Sequence, residues 1–378
     1  MPVVNFSEHS YVPVLTGDEV SQIAFAHLSD ECRNRLLPLF ELTRNRSATD
    51  FAPSVELVSA IRAPQFLIDL DKRVAPPPYQ SRNPSDPIAE AARVERETAE
   101  NNAFNEALSS LLDPADGFRN WRALVAELPE AVPVLQYTNP GPQANAIIRQ
   151  AALLLNSHER IAIRIQRHQS DLLANLAIQI LSIAPSSAQV LVILDCGQAR
   201  RNYLERAEWA ADTMALITNE LDRQQIADLE AVCMSNSYPQ PNHDGLRIAD
   251  NYDREVWVDA CDEFPFLFGD YAASHKVSSL SAFKPRSFRA TVVHTLDEQW
   301  LIHRDENSDD PEGWTRGCEV IAAHDAFDPI DSRTDERITE VAQQGIDVGD
   351  RPRDWHALRM SGHIERQSRI VDPDDLDE

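Results

Sequence analysis

The residues best suited to chemistry sit at the ends of short apolar runs. They are Glu41, Asp69 with Asp71, Gln136, Arg164 with Gln166, Asp195, Asn236, and Asp270 with Tyr271. Carboxylates gathered at one place repel, which raises some of their pKa values or recruits a cation. Glu41 and a neighbouring aspartate would serve as acid and base, as in glycoside hydrolysis. Alternatively, three of the acids would hold Mg²⁺ for attack on a phosphodiester. Arg164 carries a planar fork that pairs with these acids or with a substrate carboxylate or phosphate. The candidate catalytic set is therefore Glu41, Asp69, Asp195 and Asp270. The candidate substrate-binding set is Arg164, Gln166, Gln136, Asn236 and Tyr271. The plain alternative is that the acids form internal salt bridges with Arg44, Arg164 and Arg167 and cap the following helices.

What must position these residues is a repeated strand–helix unit. Eight apolar runs recur: Tyr11–Leu15, Leu37–Leu42, Pro64–Leu70, Val132–Thr138, Ile161–Gln166, Val190–Cys196, Leu229–Met234 and Phe266–Tyr271. They are rich in Val, Ile, Leu and Phe and do not alternate cleanly with polar residues, as expected for parallel strands covered on both faces. Between them apolar residues return at helical spacing, as in Val20, Ile23, Ala24 and Leu28, or Leu172, Leu173, Leu176 and Ile180. Thr16 followed by Glu19 reads as a capping box opening the first helix. Eight such units predict an α/β fold, a (β/α)8 TIM-like barrel of about 250 residues. Its active face lies at the strand C-terminal ends, where the polar residues above fall. An open doubly wound sheet is the rival, and it also keeps its site at strand C-termini.

Two regions break the rhythm. Val74–Ile88 holds five prolines and reads as an extended loop on the active face. A helical insertion follows, so that residues 74–128 interrupt the barrel of residues 1–284. After Tyr271 the pattern changes. Arg289–Thr295 and Trp300–Arg304 predict a β-hairpin, and helices follow to the end of a C-terminal extension, residues 285–378. One helix carries His356 and His363 on roughly one face, where a surface or packing role is expected rather than ligation. Residues 372–378 form an acidic tail.

Composition narrows the classes. The formal net charge is −26, which disfavours nucleic-acid binding through the bulk surface. No apolar run reaches the length of a membrane span, and the first residues lack a basic-then-apolar leader, so a cytoplasmic protein is expected. The five cysteines are scattered without a CxxC pair, which excludes the usual zinc spacings and predicts buried thiols. Cys196 has no assignable histidine partner to make it a nucleophile. There is no GxGxxG, GxxxxGK[ST], HExxH or GxSxG, so nucleotide-fold and serine-hydrolase readings lack support. No motif demands a cofactor. Mg²⁺ is the one the acids would take.

The opening Tyr-Val-Pro-Val-Leu, the helix start at Gly17-Asp18-Glu19 and the Pro38-Leu39-Phe40-Glu41 strand resemble the start of the phage-named Beta protein family. Ile68-Asp69, Asp195, Gly269-Asp270-Tyr271 and a late histidine such as His363 fall in the same order. The resemblance spans nearly the whole chain. It implies a phage or prophage setting and a part in phage–host conflict (defence, immunity or toxin–antitoxin), with a protein partner. Where the family pattern has lysine after the first strand this chain has Thr16, so an anion-binding role does not carry over to that position. The alternative from the residues alone is a barrel hydrolase or lyase, Mg-dependent or not, acting on a phosphorylated or polar small molecule.

Overall fold

Alternation along each apolar run decides which side chains fill the barrel and which meet the helices. In the computed structural model the described residues are 6–45, 47–80, 86–200, 202–239, 243–274, 288–345 and 351–370. The strands are β1 (Tyr11–Thr16), β2 (Leu39–Leu42), β3 (Phe66–Leu70), β4 (Ala131–Pro133), β5 (Ile161–Gln166), β6 (Val190–Gln198), β7 (Glu230–Asn236), β8 (Gly245–Asp250), β9 (Phe266–Asp270), β10 (Thr291–Thr295) and β11 (Gln299–Arg304). Eight of them form one parallel sheet in the order β4-β3-β2-β1-β9-β7-β6-β5. An isolated bridge from Val134 to Ala162 joins its two edges, with Leu135 N donating to the Ala162 carbonyl at 2.8 Å. The sheet is thus an eight-stranded barrel, nearly closed, with its thinnest seam between β4 and β5. The expected α/β barrel is found, and each of the eight runs supplies one of its strands.

Ile161, Ile163 and Ile165 of β5 point outward into the core shared with the helices. Ala162 points inward with Val12, Val14, Leu39, Leu191 and Ile193. Full burial of each Ile or Leu contributes about 1.5–3 kcal/mol relative to exposure. Gly269 is needed inside: a Cβ there would lie 2.8 Å from Val232 Cγ1 and 3.2 Å from the Val12 carbonyl.

Helices wrap the barrel. The first, Glu19–Ala26, is capped by Asp18, whose side chain accepts from Ser21 N. Thr16 instead donates its hydroxyl to Asp18 at 2.7 Å, so the capping residue lies two positions later than the Thr16–Glu19 pattern implied. The insertion contains the long helix Pro87–Leu111 and the short helix Arg119–Val125. The proline-rich segment is strapped along the long helix, Ala75 N donating to Asn105 Oδ1 at 2.8 Å and Asn101 Nδ2 to the Pro76 carbonyl at 2.6 Å. Part of the expected loop, residues 81–85, lies outside the described residues.

The expected hairpin is β10–β11, antiparallel. A third strand, β8, joins it and comes from between β7 and β9. No strand was expected there. Helices Glu312–Ala322, Arg333–Gln344 and Pro352–Gln367 cover this sheet, and Trp314 stacks on Trp355 with ring centroids 4.9 Å apart. The expected boundary at 284–285 and the tail at 372–378 lie outside the described residues.

Candidate functional site

Arg164 rises from β5 into the C-terminal mouth of the barrel, where inward-facing acids from three other strands meet it. Its Nη1 donates to Glu41 at 2.7 Å and to Asp69 at 2.8 Å. Its Nε donates to Asp195 at 3.2 Å, and its Nη2 to the Tyr271 hydroxyl at 2.6 Å. The Tyr271 hydroxyl in turn donates a hydrogen bond to Asp195 at 2.8 Å. Register explains the meeting: Glu41 pairs Asp69 across β2–β3, and Gln166 pairs Asp195 across β5–β6. A β-bulge after Asp195 turns the Gly197 N–H onto Asp195 Oδ1 at 3.0 Å. Gly197 has φ +69°, which a side chain would strain.

The electrostatics follow from burial and pairing. Burial alone would raise the Asp69 pKa, but Arg164, Lys72 and the Gln136 amide outweigh it and hold the carboxyl below its ordinary value. Burial opposes the charge on Arg164, yet Tyr271 and the three acids keep its pKa well above the usual range. Burial, against Arg164 and with Asp195, pushes the Tyr271 phenol up. A buried cluster of this kind is strongly destabilised if one partner is removed.

The cluster forms one wall of a cavity of about 700 Å³. Thr16, Glu41, Asp71, Lys72, Gln166 and Tyr271 are among its lining residues. Among the three acids on Arg164, the Glu41 side chain is 17% exposed, against 5% for Asp69 and 1% for Asp195. Glu41 is therefore the most exposed of the three, and it lines the cavity together with Asp69 and Asp71. Lys72 Nζ lies 4.2 Å from the centre of the Tyr137 ring, and Asp71 receives Arg73 at 2.7 and 2.6 Å and the Thr43 hydroxyl at 3.0 Å.

Glu41, Asp69 and Asp195 come together with Arg164 and Tyr271 as expected, and Gln166 lines the same cavity. Gln136 stands behind the site, its Nε2 donating to Asp69 at 2.9 Å. Asn236 stands at the side, donating to the Ser274 carbonyl at 3.1 Å. Asp270 does not join the mouth set. Phe266 and Phe268 of β9 face the helix layer, and alternation sends Asp270 the same way. Its Oδ1 accepts from the Tyr11 hydroxyl and from Ala272 N, and Oδ2 pairs with His363. That carboxylate fixes the turn just after Tyr271, where Ala272 and Ala273 take left-handed φ values of 47° and 52°.

Of the other arginines considered as partners, Arg44 lies over Phe104 and donates to Asn101 at 2.6 Å. Arg167 faces Glu205 at 3.6 Å and none of the mouth acids among the described residues. Cys196 is buried in the helix-facing core with its Sγ 3.9 Å from that of Cys233, and so is no nucleophile of the mouth. Lys72, Tyr137 and Gln198 line the cavity but were not singled out in the sequence, although Lys72 is one of three lysines in the chain. Among the described residues no three His, Cys, Asp or Glu side chains are disposed to hold a metal ion. The guanidinium of Arg164 occupies the centre of the acids, so they do not fit the Mg²⁺ site considered above. No helix among the described residues is long and apolar enough to cross a membrane.

The Beta protein family matches residues 11–369, from the first residue of β1 to beyond the last helix. Protein beta of Enterobacteria phage P4 is 22% identical over 377 residues, spanning 97% of this chain and 95% of that protein. The chain belongs to the Beta protein family.

Proposed function

We propose that the protein is a component of phage–host conflict whose working site is the barrel mouth, where a polar small molecule is bound and hydrolysed or cleaved by elimination. The observation that supports the chemical half of this reading is the charge cluster itself. Arg164, Glu41, Asp69 and Asp195 are held within 2.7–3.2 Å at strand C-terminal ends beside an open cavity. Apolar side chains of similar volume would serve the fold as well or better, whereas perturbed, coupled groups in a cleft are characteristic of working sites. Glu41 is the proton donor or acceptor. Arg164 holds Asp69 and Asp195 in place, and Tyr271 holds Asp195 and Arg164, so that the field at Glu41 is set before a ligand arrives. The phage setting is supported by the family and by the phage P4 relative.

A second reading, docking of a protein partner, is favoured by Leu246 and Ile248 on β8, which are 40% and 46% exposed. One assay separates the two: phage infection or toxicity in the native host, with a pull-down alongside. Glu41→Gln should abolish the effect while any partner is still captured. Full activity of Glu41→Gln, with loss in Leu246→Ser/Ile248→Ser, would replace the first reading with the second.

A further inference from the structure

The lining of the mouth cavity is balanced in charge. Glu41, Asp69 and Asp71 supply three carboxylates, and Lys72, Arg73 and Arg164 supply three cations. The lining is thus formally neutral within a chain of net charge −26. The cations are also engaged. Arg164 gives Nη1 to Glu41 and Asp69, Nε to Asp195 and Nη2 to Tyr271. Arg73 closes its fork on Asp71, Nε to one oxygen at 2.7 Å and Nη2 to the other at 2.6 Å. Lys72 Nζ lies 4.2 Å from the centre of the Tyr137 ring. A phosphate or carboxylate entering the cavity would have to take a cation from its partner and leave a buried carboxylate unpaired, which is costly. An ammonium would meet the same three cations.

The groups left open in the cavity are uncharged, apart from one oxygen. The side-chain amides of Gln166 and Gln198 and the hydroxyl of Ser274 line it and make no hydrogen bond among the described residues. Glu41 is bonded to Arg164 through Oε1 alone, so Oε2 is open to a ligand. Each amide and each hydroxyl can both donate and accept. These groups flank the cavity from opposed sides, for β2, which carries Glu41, stands opposite β6, which ends at Gln198, in the order of the eight strands. Val14 and Val134 of the apolar barrel interior line the same cavity. Its volume of about 700 Å³ is that of a small-molecule pocket. Hydroxyls around the edge of a ring and C–H groups on its face match this mixture of open amides, one carboxylate oxygen and apolar wall.

We propose that the mouth binds a neutral, hydroxyl-rich ligand, a sugar unit, whose hydroxyls hydrogen-bond to Gln166, Gln198 and the open oxygen of Glu41. The proposal rests on the mouth being the working site and names the class of its substrate. Neutrality is the discriminating feature: the charges of the lining satisfy one another, and recognition falls to the groups they leave open.

The test is saturation-transfer NMR of the full chain with glucose, galactose, mannose, ribose and N-acetylglucosamine, each titrated in the millimolar range. At least one of these sugars should bind saturably, and its phosphate ester should bind no tighter. Gln166→Leu should weaken binding by about tenfold, the worth of one hydrogen bond. Gln198→Leu, at an exposed position, should weaken it in the same direction and serves as the second variant if Gln166→Leu melts early. Arg96→Gln, on the insertion helix, should bind as the parent does. Absence of binding by all five sugars overturns the proposal. So does tighter binding of a phosphate ester than of its parent sugar, or parental binding by both leucine variants. Glu41→Gln in the host assay separates the two readings. No sugar binding, with host activity lost in Glu41→Gln, overturns the ligand class and leaves the mouth as the working site. Saturable sugar binding, with Glu41→Gln fully active, keeps the ligand and removes the chemistry assigned to Glu41.

Discussion

His363 in the last helix and Asp270 at the end of β9 form a fully buried pair, Nε2 to Oδ2 at 2.6 Å. Trp300 Nε1 faces His363 Nδ1 at 3.4 Å, and an indole N–H can only donate. Nε2 therefore carries a proton and donates a hydrogen bond to Asp270. With Tyr11 and Ala272 N also donating, the carboxylate is well satisfied. One pair thus joins the C-terminal helix and the β10–β11 sheet to the barrel strand that carries Tyr271.

His363→Ala should cost about 3–5 kcal/mol, because a buried carboxylate loses one of its donors and a cavity opens beside it. The melting temperature should fall by several degrees and guanidinium midpoints should fall with it. An unchanged melting temperature would show that the pair contributes nothing to holding the extension on the barrel.

Arg164→Ala should be at least as damaging, about 3–5 kcal/mol, since Glu41, Asp69 and Asp195 would face one another without their common cation. Arg164→Lys should recover only part, because an ammonium lacks the fork that reaches three acids and a phenol at once. Chemical denaturation of both variants at neutral pH checks the order. Equal stability of the alanine and parent proteins would remove Arg164 from the centre of the site.

The pH dependence of stability should carry opposite signs at two buried aspartates. Asp69 has a lowered pKa in the fold, through Arg164, Lys72 and Gln136 acting against burial. Its contribution is present above the unfolded carboxylate value near 4 and is lost as pH falls through the folded value. Asp253 is pushed up to about 6, first by burial and then by Asp270. The folded protein then holds a proton that the unfolded chain has released, so this group stabilises most at low pH and its contribution is lost as pH rises from about 4 to about 6. Relative to Asp253→Asn, the parent should gain melting temperature as pH is lowered from about 7.5 to about 5.5. A constant difference between the two proteins across that range would refute the raised value.

The barrel was legible because its strands are buried on both faces, and that leaves uninterrupted runs such as Val190–Cys196. The convergence of Arg164 with Glu41 was legible too, since both sit at strand ends and face inward by alternation. The same alternation separates Asp270 from Tyr271, for Phe266, Phe268 and Asp270 share one face of β9 and those phenylalanines pack against helices. Treating the two neighbours as one strand-end group hid that. β8 escaped because Leu246-Arg247-Ile248 is a brief alternation whose partner, β11, lies some fifty residues later. Lys72 escaped because it follows its strand rather than lying in it, and no period fixes where a loop side chain points. Tyr137 lies inside the expected run Val132–Thr138, where its neighbour Gln136 was singled out instead.

The acids on Arg164 should not be equivalent when each is replaced by its amide. Glu41 is bonded to Arg164 through one oxygen at 2.7 Å and is the most exposed of the three. Glu41→Gln can keep that bond through its amide oxygen, so the fold should change by about 1 kcal/mol or less. Asp195 is 1% exposed in its side chain and receives Arg164, Tyr271 and the Gly197 N–H together. Asp195→Asn turns one acceptor oxygen into a donor against groups that also donate, and it should cost about 2–4 kcal/mol. If the mouth is the working site, Glu41→Gln is then the variant that loses biological activity at parental stability, whereas Asp195→Asn loses both. Thermal melts run beside the host assay separate these effects. A Glu41→Gln protein that melts as early as Asp195→Asn would place Glu41 in the same structural role as Asp195, and would remove it as the group that meets the ligand.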